Sequence, residues 1–123
     1  MLKSWANRQA TIALSSGEAE FHSATKAAAE LMAVQSMMHD LGWIAELRLN
    51  VDASVAQSMA NRQGIGKVRH LEVKFLWLQS AAKNGTITVR RIGGRCNPAD
   101  MLTKPLGSAE MCRHMASVHV FPA

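Results

Sequence analysis

The stretch Glu46-Leu47-Arg48-Leu49-Asn50-Val51-Asp52 alternates polar and apolar side chains without a break. A period of two residues is typical of a β-strand that has one covered and one exposed face. Helical spacing precedes this strand over residues 15–41 and returns over residues 69–83, before a β-branched stretch at 86–92. Strands that alternate with helices indicate an α/β layer fold. Because a helix links them, strands 46–52 and 86–92 are predicted to be parallel neighbours.

The helix before this strand has clear signals at both ends. Ser15 or Ser16 is a natural N-cap, with Glu18 near the third helical position, and Gly42 supplies a C-terminal stop. One face is predicted from side chains spaced by three and four, namely Phe21, Ala24, Ala28, Leu31, Met32, Gln35 and Met38. The methionines of this segment are interpreted as core filling, and they are Met32, Met37 and Met38.

The other elements are predicted from shorter signals. Residues 3–13 are interpreted as a short strand that runs into a loop, and residues 53–61 have a helical composition. The helix over 69–83 would cover the core with Leu71, Phe75, Leu78 and Ala82, and Asn84-Gly85 would end it in a turn. Gly93-Gly94 opens a loop, and Pro98 begins a short helix through Met101. After Pro105 we expect at most one weak helical turn in a poorly ordered tail.

Charge is distributed unevenly along the 123 residues, whose formal net charge is +5. Residues 1–52 carry four basic and six acidic side chains, whereas residues 62–104 carry nine basic and two acidic ones. A basic half beside an acidic half is typical of a protein that binds a phosphate backbone and also binds metal ions. Alternatively, the basic residues serve only to keep the chain soluble. The two cysteines, Cys96 and Cys112, are too few for a disulfide framework and are expected to be reduced thiols.

Three carboxylates stand at predicted element ends. Glu20 lies in the first turn of the long helix, Asp52 at the carboxyl end of a strand, and Asp100 in the first turn of the short helix. Such clusters suit hard cations such as Mg²⁺ or Mn²⁺, two of which can activate water against a phosphodiester. Singly, each carboxylate could instead stabilise a helix N-terminus or cap the following helix. A zinc site at Cys112, His114 and His119 is disfavoured because no second cysteine pair is present.

Four blocks resemble, in order and spacing, the signature of the RNase H domain of copia-type LTR retrotransposon Pol polyproteins. They are residues 14–21, 51–56, 69–73 and 97–106, and Ser4-Trp5 followed by Arg8-Gln9 is similar to the family's entry segment. The resemblance implies a domain built on a mixed five-stranded sheet flanked by helices. Such a domain cleaves the RNA strand of RNA–DNA hybrids, using four acidic residues and two divalent ions. It therefore implies two Mg²⁺ or Mn²⁺ ions, an RNA–DNA hybrid as partner, and the reverse transcriptase part of the same polyprotein as neighbour.

Roles are carried over motif by motif. Glu20 matches the family's helix glutamate, because Phe21 follows it as the family's aromatic residue does, and Glu18 is the alternative. Asp52 and Asp100 match two catalytic aspartates, and His70 with Glu72 matches a His-x-Glu element that is structural or faces the substrate. Phosphate contacts are expected from the basic segment, at Lys67, Arg69, His70, Lys74, Arg90, Arg91 and Arg95.

The family's first catalytic aspartate lies on a strand that would precede Ser4-Trp5. We therefore expect an N-terminally truncated domain over residues 1–106, lacking the first two strands, with residues 107–123 as a C-terminal tail. Loss of those strands would leave sheet edges open to another chain. We expect a metal-dependent ribonuclease H impaired by truncation, or alternatively a non-catalytic basic remnant that binds nucleic acid. No signal peptide or membrane-spanning run is apparent, so a cytoplasmic or nuclear location is expected, within a virus-like particle for the intact element.

Overall fold

The computed structural model describes residues 16–52 and 69–120, and side chains within these ranges except those of residues 16–18, 69–72 and 75. The chain divides into two compact units, with the boundary between Arg91 and Ile92. In the described ranges, no helix combines the length and apolar content needed to cross a bilayer. The expected strand at 3–13, the expected helix at 53–61 and the phosphate-contact candidate Lys67 lie outside the described residues.

Helix α1 spans Ser16–Asp40 and confirms the predicted long helix. Its end is a Schellman motif, in which Trp43 N–H donates to the Met38 carbonyl at 2.9 Å and Gly42 N–H donates to the His39 carbonyl at 2.9 Å. Gly42 has a φ of +81°, a left-handed conformation that glycine adopts without the steric cost of a Cβ. The sequence signal at Gly42 therefore corresponds to a real stop, which turns the chain toward the first strand.

Strands β1 (Leu47–Val51) and β2 (Ile87–Arg91) form a parallel pair, as predicted. The register sets Leu47 opposite Ile87 and Val51 opposite Arg91. Alternation along β1 is complete, since Leu47, Leu49 and Val51 are buried while Arg48 and Asn50 are exposed. Among the described residues the sheet has two strands, and the five-stranded sheet that the resemblance implies is not confirmed.

Helix α2 spans Arg69–Lys83 and leads through a turn at Gly85, whose φ is +75°, into β2. This helix confirms the second predicted helix, and Leu78 on it is fully buried. One cluster unites the apolar faces of α1, α2 and the sheet, and its buried members are Phe21, Ala24, Ala28, Leu47, Leu49, Val51, Leu78 and Ile87. The small side chains Ala24 and Ala28 let α1 approach the strands closely. In the part of the first unit that the structure describes, two helices thus pack with a two-stranded parallel sheet.

The methionine interpretation was wrong for one residue. Met32 packs against the core as expected, but the side chain of Met37 is 66% exposed. Met37 lies five residues after Met32 on α1. At 100° per residue, its side chain points about 140° away from that of Met32. Leu41, Trp43 and Ile44 are also exposed near this end of α1, so the surface there is apolar.

The second unit holds two 3₁₀ helices, Gly94–Cys96 and Pro98–Leu102, and helix α3, Ser108–Ser117. The 3₁₀ turn at Pro98 confirms the predicted short helix, with Asn97 Oδ1 accepting from Ala99 N–H as its N-cap. The expectation of at most one weak turn after Pro105 was wrong, because α3 is ten residues long. Its N-cap, Gly107, gives no side-chain cap, so the usual sequence signal for a helix start is missing.

Candidate metal and nucleic-acid site

Asp52 follows the last residue of β1 directly, and its side chain is exposed. In parallel sheets, side chains just beyond the carboxyl ends of strands are accessible to ligands. Asp52 therefore occupies the position that the sequence predicted for it.

Glu20 lies one turn into α1, and its side chain is half-buried. The neighbouring residue Phe21 is buried in the core, which fixes this turn of the helix against the sheet. Glu18 also lies in α1, but the described side chains do not include it. The structure thus describes the preferred glutamate and leaves the choice between the two untested.

Glu20 and Asp52 lie next to residues of one core cluster in the first unit. Strand β1 packs against α1 after the short loop 41–46. Phe21, which follows Glu20, and Val51, which precedes Asp52, are both buried in that cluster. The packing therefore anchors both carboxylate-bearing residues to the same core.

Two arginines lie at the same end of the sheet as Asp52. Arg91 is paired in register with Val51, the residue before Asp52, and both Arg90 and Arg91 are exposed. Adjacent strands lie roughly 4.8 Å apart, so a cationic side chain begins one strand away from the carboxylate. Successive strand side chains point to opposite faces, so Arg90, in register with Asn50, begins on the same face as Asp52 and Arg91 on the other. A phosphate group near Asp52 could accept hydrogen bonds from the guanidinium group of Arg90.

Asp100 belongs to the second unit, in the first turn of the 3₁₀ helix Pro98–Leu102. Its side chain is 15% exposed, and Oδ2 accepts from Lys104 Nζ at 3.0 Å. This ion pair joins residues four apart, a sequence spacing that indicates a possible contact between oppositely charged side chains. Lys104 therefore neutralises the third candidate carboxylate in this conformation.

The residues fit a divalent cation in their chemistry but do not form a complete site. Carboxylate oxygens are the donors that Mg²⁺ and Mn²⁺ prefer. In the described part of the chain, however, no three His, Cys, Asp or Glu side chains are grouped closely enough to hold one ion. The candidate carboxylates Glu20 and Asp52 lie in the first unit, and Asp100 lies in the second.

The remaining basic candidates are distributed over both units. Lys74 is exposed on α2, and Arg95 is exposed in the 3₁₀ helix Gly94–Cys96. Arg69 and His70 begin α2, but their side chains are not among those described, and Lys67 lies outside the described residues. The described members of the basic set, Lys74, Arg90, Arg91 and Arg95, are thus all exposed to solvent.

The alternative ligands in the second unit do not gather. Cys96 and Cys112 are exposed thiols without a disulfide, as expected. His114 is buried within α3, and among the described residues its Nε2 has no hydrogen-bond partner. Because Cys112 is exposed while His114 is buried, the two side chains do not share one face, which removes support from the disfavoured zinc reading.

Comparison with known proteins gives one informative match. The chain is similar to the retrovirus-related Pol polyprotein from transposon TNT 1-94 of Nicotiana tabacum, with 29% identity over 121 residues. That alignment covers 94% of this chain and 9% of the polyprotein, so the chain spans less than a tenth of its relative's length. No family model matches the chain. No solved structure matches it significantly. The match supports a relationship to a region of a retrotransposon Pol polyprotein.

Proposed function

We propose that this chain is the RNase H region of a retrotransposon Pol polyprotein and acts on the RNA strand of RNA–DNA hybrids. The observation that supports the proposal is that Asp52 follows β1 directly, with Arg90 and Arg91 at the end of the paired strand β2, while Glu20 and Asp52 each adjoin a residue of the same core cluster. Carboxylates for cations beside guanidinium groups for phosphates are what hydrolysis of a phosphodiester requires. The similarity to a Pol polyprotein along 94% of the chain supports the same origin.

The acidic residues would bind cations, and the basic residues would bind the phosphates of the hybrid. Glu20 and Asp52 would hold divalent cations in the first unit, and Asp100, which pairs with Lys104 within the second unit, is the third ligand that the resemblance implies. Bound Mg²⁺ or Mn²⁺ would supply an activated water and a stabilised leaving oxygen. Arg90 and Arg91 would orient the scissile strand through its phosphates, without reading base sequence. The hybrid would thus be positioned by the end of β2 and hydrolysed beside the end of β1.

Cleavage of a labelled RNA–DNA hybrid by the full chain tests this proposal. We expect Mg²⁺- or Mn²⁺-dependent cleavage of the RNA strand that Asp52→Asn reduces by at least about a hundredfold, as the loss of a metal ligand would. The matched control is Asp40→Asn, which alters an exposed carboxylate at the opposite end of α1. Unchanged cleavage in Asp52→Asn, with both variants folded by circular dichroism, would contradict the catalytic assignment.

A second candidate is a basic module that binds nucleic acid without cleaving it. It is favoured by the Lys104–Asp100 ion pair and by the missing three-residue ligand group among the described side chains. In that case the hybrid binds in a salt-dependent way, and added Mg²⁺ leaves it intact. Lys104→Gln separates the two candidates, because releasing Asp100 would raise cleavage by the enzyme and change nothing in a binding module.

A further inference from the structure

The solvent-facing side of the β1–β2 sheet carries a group of polar side chains. Because side chains alternate along a strand, the side of β1 opposite its buried residues bears Arg48 and Asn50. The parallel register sets Thr88 beside Arg48 and Arg90 beside Asn50. All four of these residues are exposed. They form one polar surface on the side of the sheet away from the core, and we call them the outer quartet.

The outer quartet has two cations on one diagonal and two neutral hydrogen-bonding groups on the other. Neighbouring positions on one face of a sheet are roughly 4.8 Å apart across the strands and about 6.6 Å apart along a strand. The strand residues 47–51 and 87–91 include three arginines and no acidic residue. An anionic strand that lies on this face therefore meets cationic groups and neutral hydrogen-bonding groups together.

The two arginines of the quartet suit phosphate groups. Arg48 donates to Glu46 Oε2 at 3.1 Å, but these side chains are 57% and 80% exposed, and solvent weakens an ion pair of this kind. A phosphate can therefore replace Glu46 as the partner of Arg48. Arg90 is exposed at the opposite corner of the quartet. Because RNA and DNA both carry phosphates, these contacts supply affinity without selecting RNA.

The two neutral members of the quartet suit the sugar of RNA. The Asn50 amide and the Thr88 hydroxyl can each donate and accept a hydrogen bond, and so can the 2′-hydroxyl group that distinguishes RNA from DNA. RNA–DNA hybrids have A-form geometry, and A-form helices display 2′-hydroxyl groups in a wide, shallow minor groove. The exposed face of a sheet can approach such a groove. Asparagine is also depleted in β-strands, so strand propensity does not explain Asn50.

We propose that the outer quartet holds the RNA strand of an RNA–DNA hybrid and selects it over DNA. Asn50 and Thr88 form hydrogen bonds with 2′-hydroxyl groups, and the two arginines contact the phosphates beside them. The inference rests on the proposed function, because it takes the hybrid as the substrate. It adds a source of RNA selectivity, which carboxylates that bind cations and arginines that bind phosphates do not provide.

Binding measured without divalent cations tests these contacts separately from cleavage. Fluorescence anisotropy in EDTA compares the full chain's affinity for a labelled RNA–DNA hybrid with its affinity for the DNA duplex of the same sequence. The hybrid should bind more tightly. Asn50→Ala and Thr88→Val should each weaken hybrid binding roughly two- to tenfold, as the loss of one hydrogen bond would, and leave DNA binding unchanged. Thr88→Ser keeps the hydroxyl and should keep the preference, whereas Arg90→Gln should weaken binding of both duplexes by similar factors.

Two controls separate hydroxyl recognition from other effects. Asn84→Ala removes an exposed amide from the turn after α2, outside the sheet, and should leave both affinities unchanged. A hybrid with 2′-fluoro groups on its RNA strand keeps the A-form shape but cannot donate from that position, so it should bind more weakly than the hydroxyl form.

Three results from folded chains would overturn the inference. They are equal affinity for the hybrid and the DNA duplex, full affinity for the 2′-fluoro hybrid, and hybrid affinity that is unchanged in both Asn50→Ala and Thr88→Val. Because these measurements exclude metal, the two proposals can fail separately. A chain that prefers the hybrid but never cleaves it in Mg²⁺ or Mn²⁺ contradicts the proposed function alone. Cleavage together with any of the three results contradicts this inference alone.

Discussion

Two helices in this chain end with the same hydrogen-bond pattern but with different residues at the left-handed position. Helix α1 ends at Gly42, whereas α3 ends at His119, whose φ is +56°. Val120 N–H donates to the Met115 carbonyl and His119 N–H to the Ala116 carbonyl, so α3 also closes in a Schellman motif. A Cβ in the left-handed region is disfavoured by about 1–2 kcal/mol, which makes His119 a strained residue.

Replacing His119 by glycine should therefore stabilise the chain. We expect His119→Gly to raise the free energy of unfolding by roughly 0.5–1 kcal/mol, the steric gain less the added backbone entropy of glycine. Urea denaturation followed by circular dichroism would measure it. The reciprocal variant, Gly42→Ala, has open space around the new Cβ but a φ of +81°, so it should lose stability by about 1 kcal/mol. A gain from Gly42→Ala, or a loss from His119→Gly, would contradict this account of the helix ends.

At the scale of elements, Ile87 is the most deeply buried contact of β2 with the core, and the partly buried Val89 packs beside it. Ile87 is 1% exposed and is one of the largest fully buried side chains among those described. Ile87→Val removes one buried methyl group and should cost about 0.5–1.5 kcal/mol in unfolding free energy. The adjacent Thr88 is exposed, so Thr88→Ser is expected to change stability by less than about 0.5 kcal/mol. Equal losses in the two variants would mean that β2 does not pack as its alternation indicates.

Elements with a strong periodic pattern could be predicted from sequence, and those without one could not. Helix α1 combines an apolar face with a glycine stop, and β1 alternates at every residue, so both were confirmed within one or two residues. Helix α3 was missed because Gly107 offers no side-chain cap and its only buried side chain among those described is His114. Propensity is a weak signal when neither caps nor an apolar face support it.

The candidate site could be predicted only in part, because its residues belong to different elements. Sequence position places Asp52 at a strand end and Glu20 in a first turn, because those are local properties of the elements. Whether carboxylates from different elements meet depends on tertiary packing, which no spacing in the sequence encodes. The ion pair between Asp100 and Lys104 illustrates the limit, since it gives the aspartate a local partner that competes with any cation.

At the scale of the whole molecule, the formal net charge of +5 permits binding of nucleic acid through charge alone. The structure allows two arginines to be compared as phosphate contacts. Arg91 ends β2 beside the predicted catalytic end of β1, whereas Arg113 is an exposed arginine on α3 that belongs to no predicted contact set. Both carry one positive charge, so comparing them separates a defined interface from a general attraction.

The salt dependence of hybrid binding distinguishes these possibilities. If Arg91 neutralises a phosphate, Arg91→Ala should weaken binding and reduce the slope of log K against log salt concentration by roughly 0.7–0.9, the counterions released by one contact. Arg113→Ala removes the same charge but no phosphate contact, so its slope should match that of the unaltered chain. Titrations of a short RNA–DNA hybrid at several salt concentrations would measure both. Identical slope changes in the two variants would show that net charge, rather than the end of the β1–β2 sheet, attracts the hybrid.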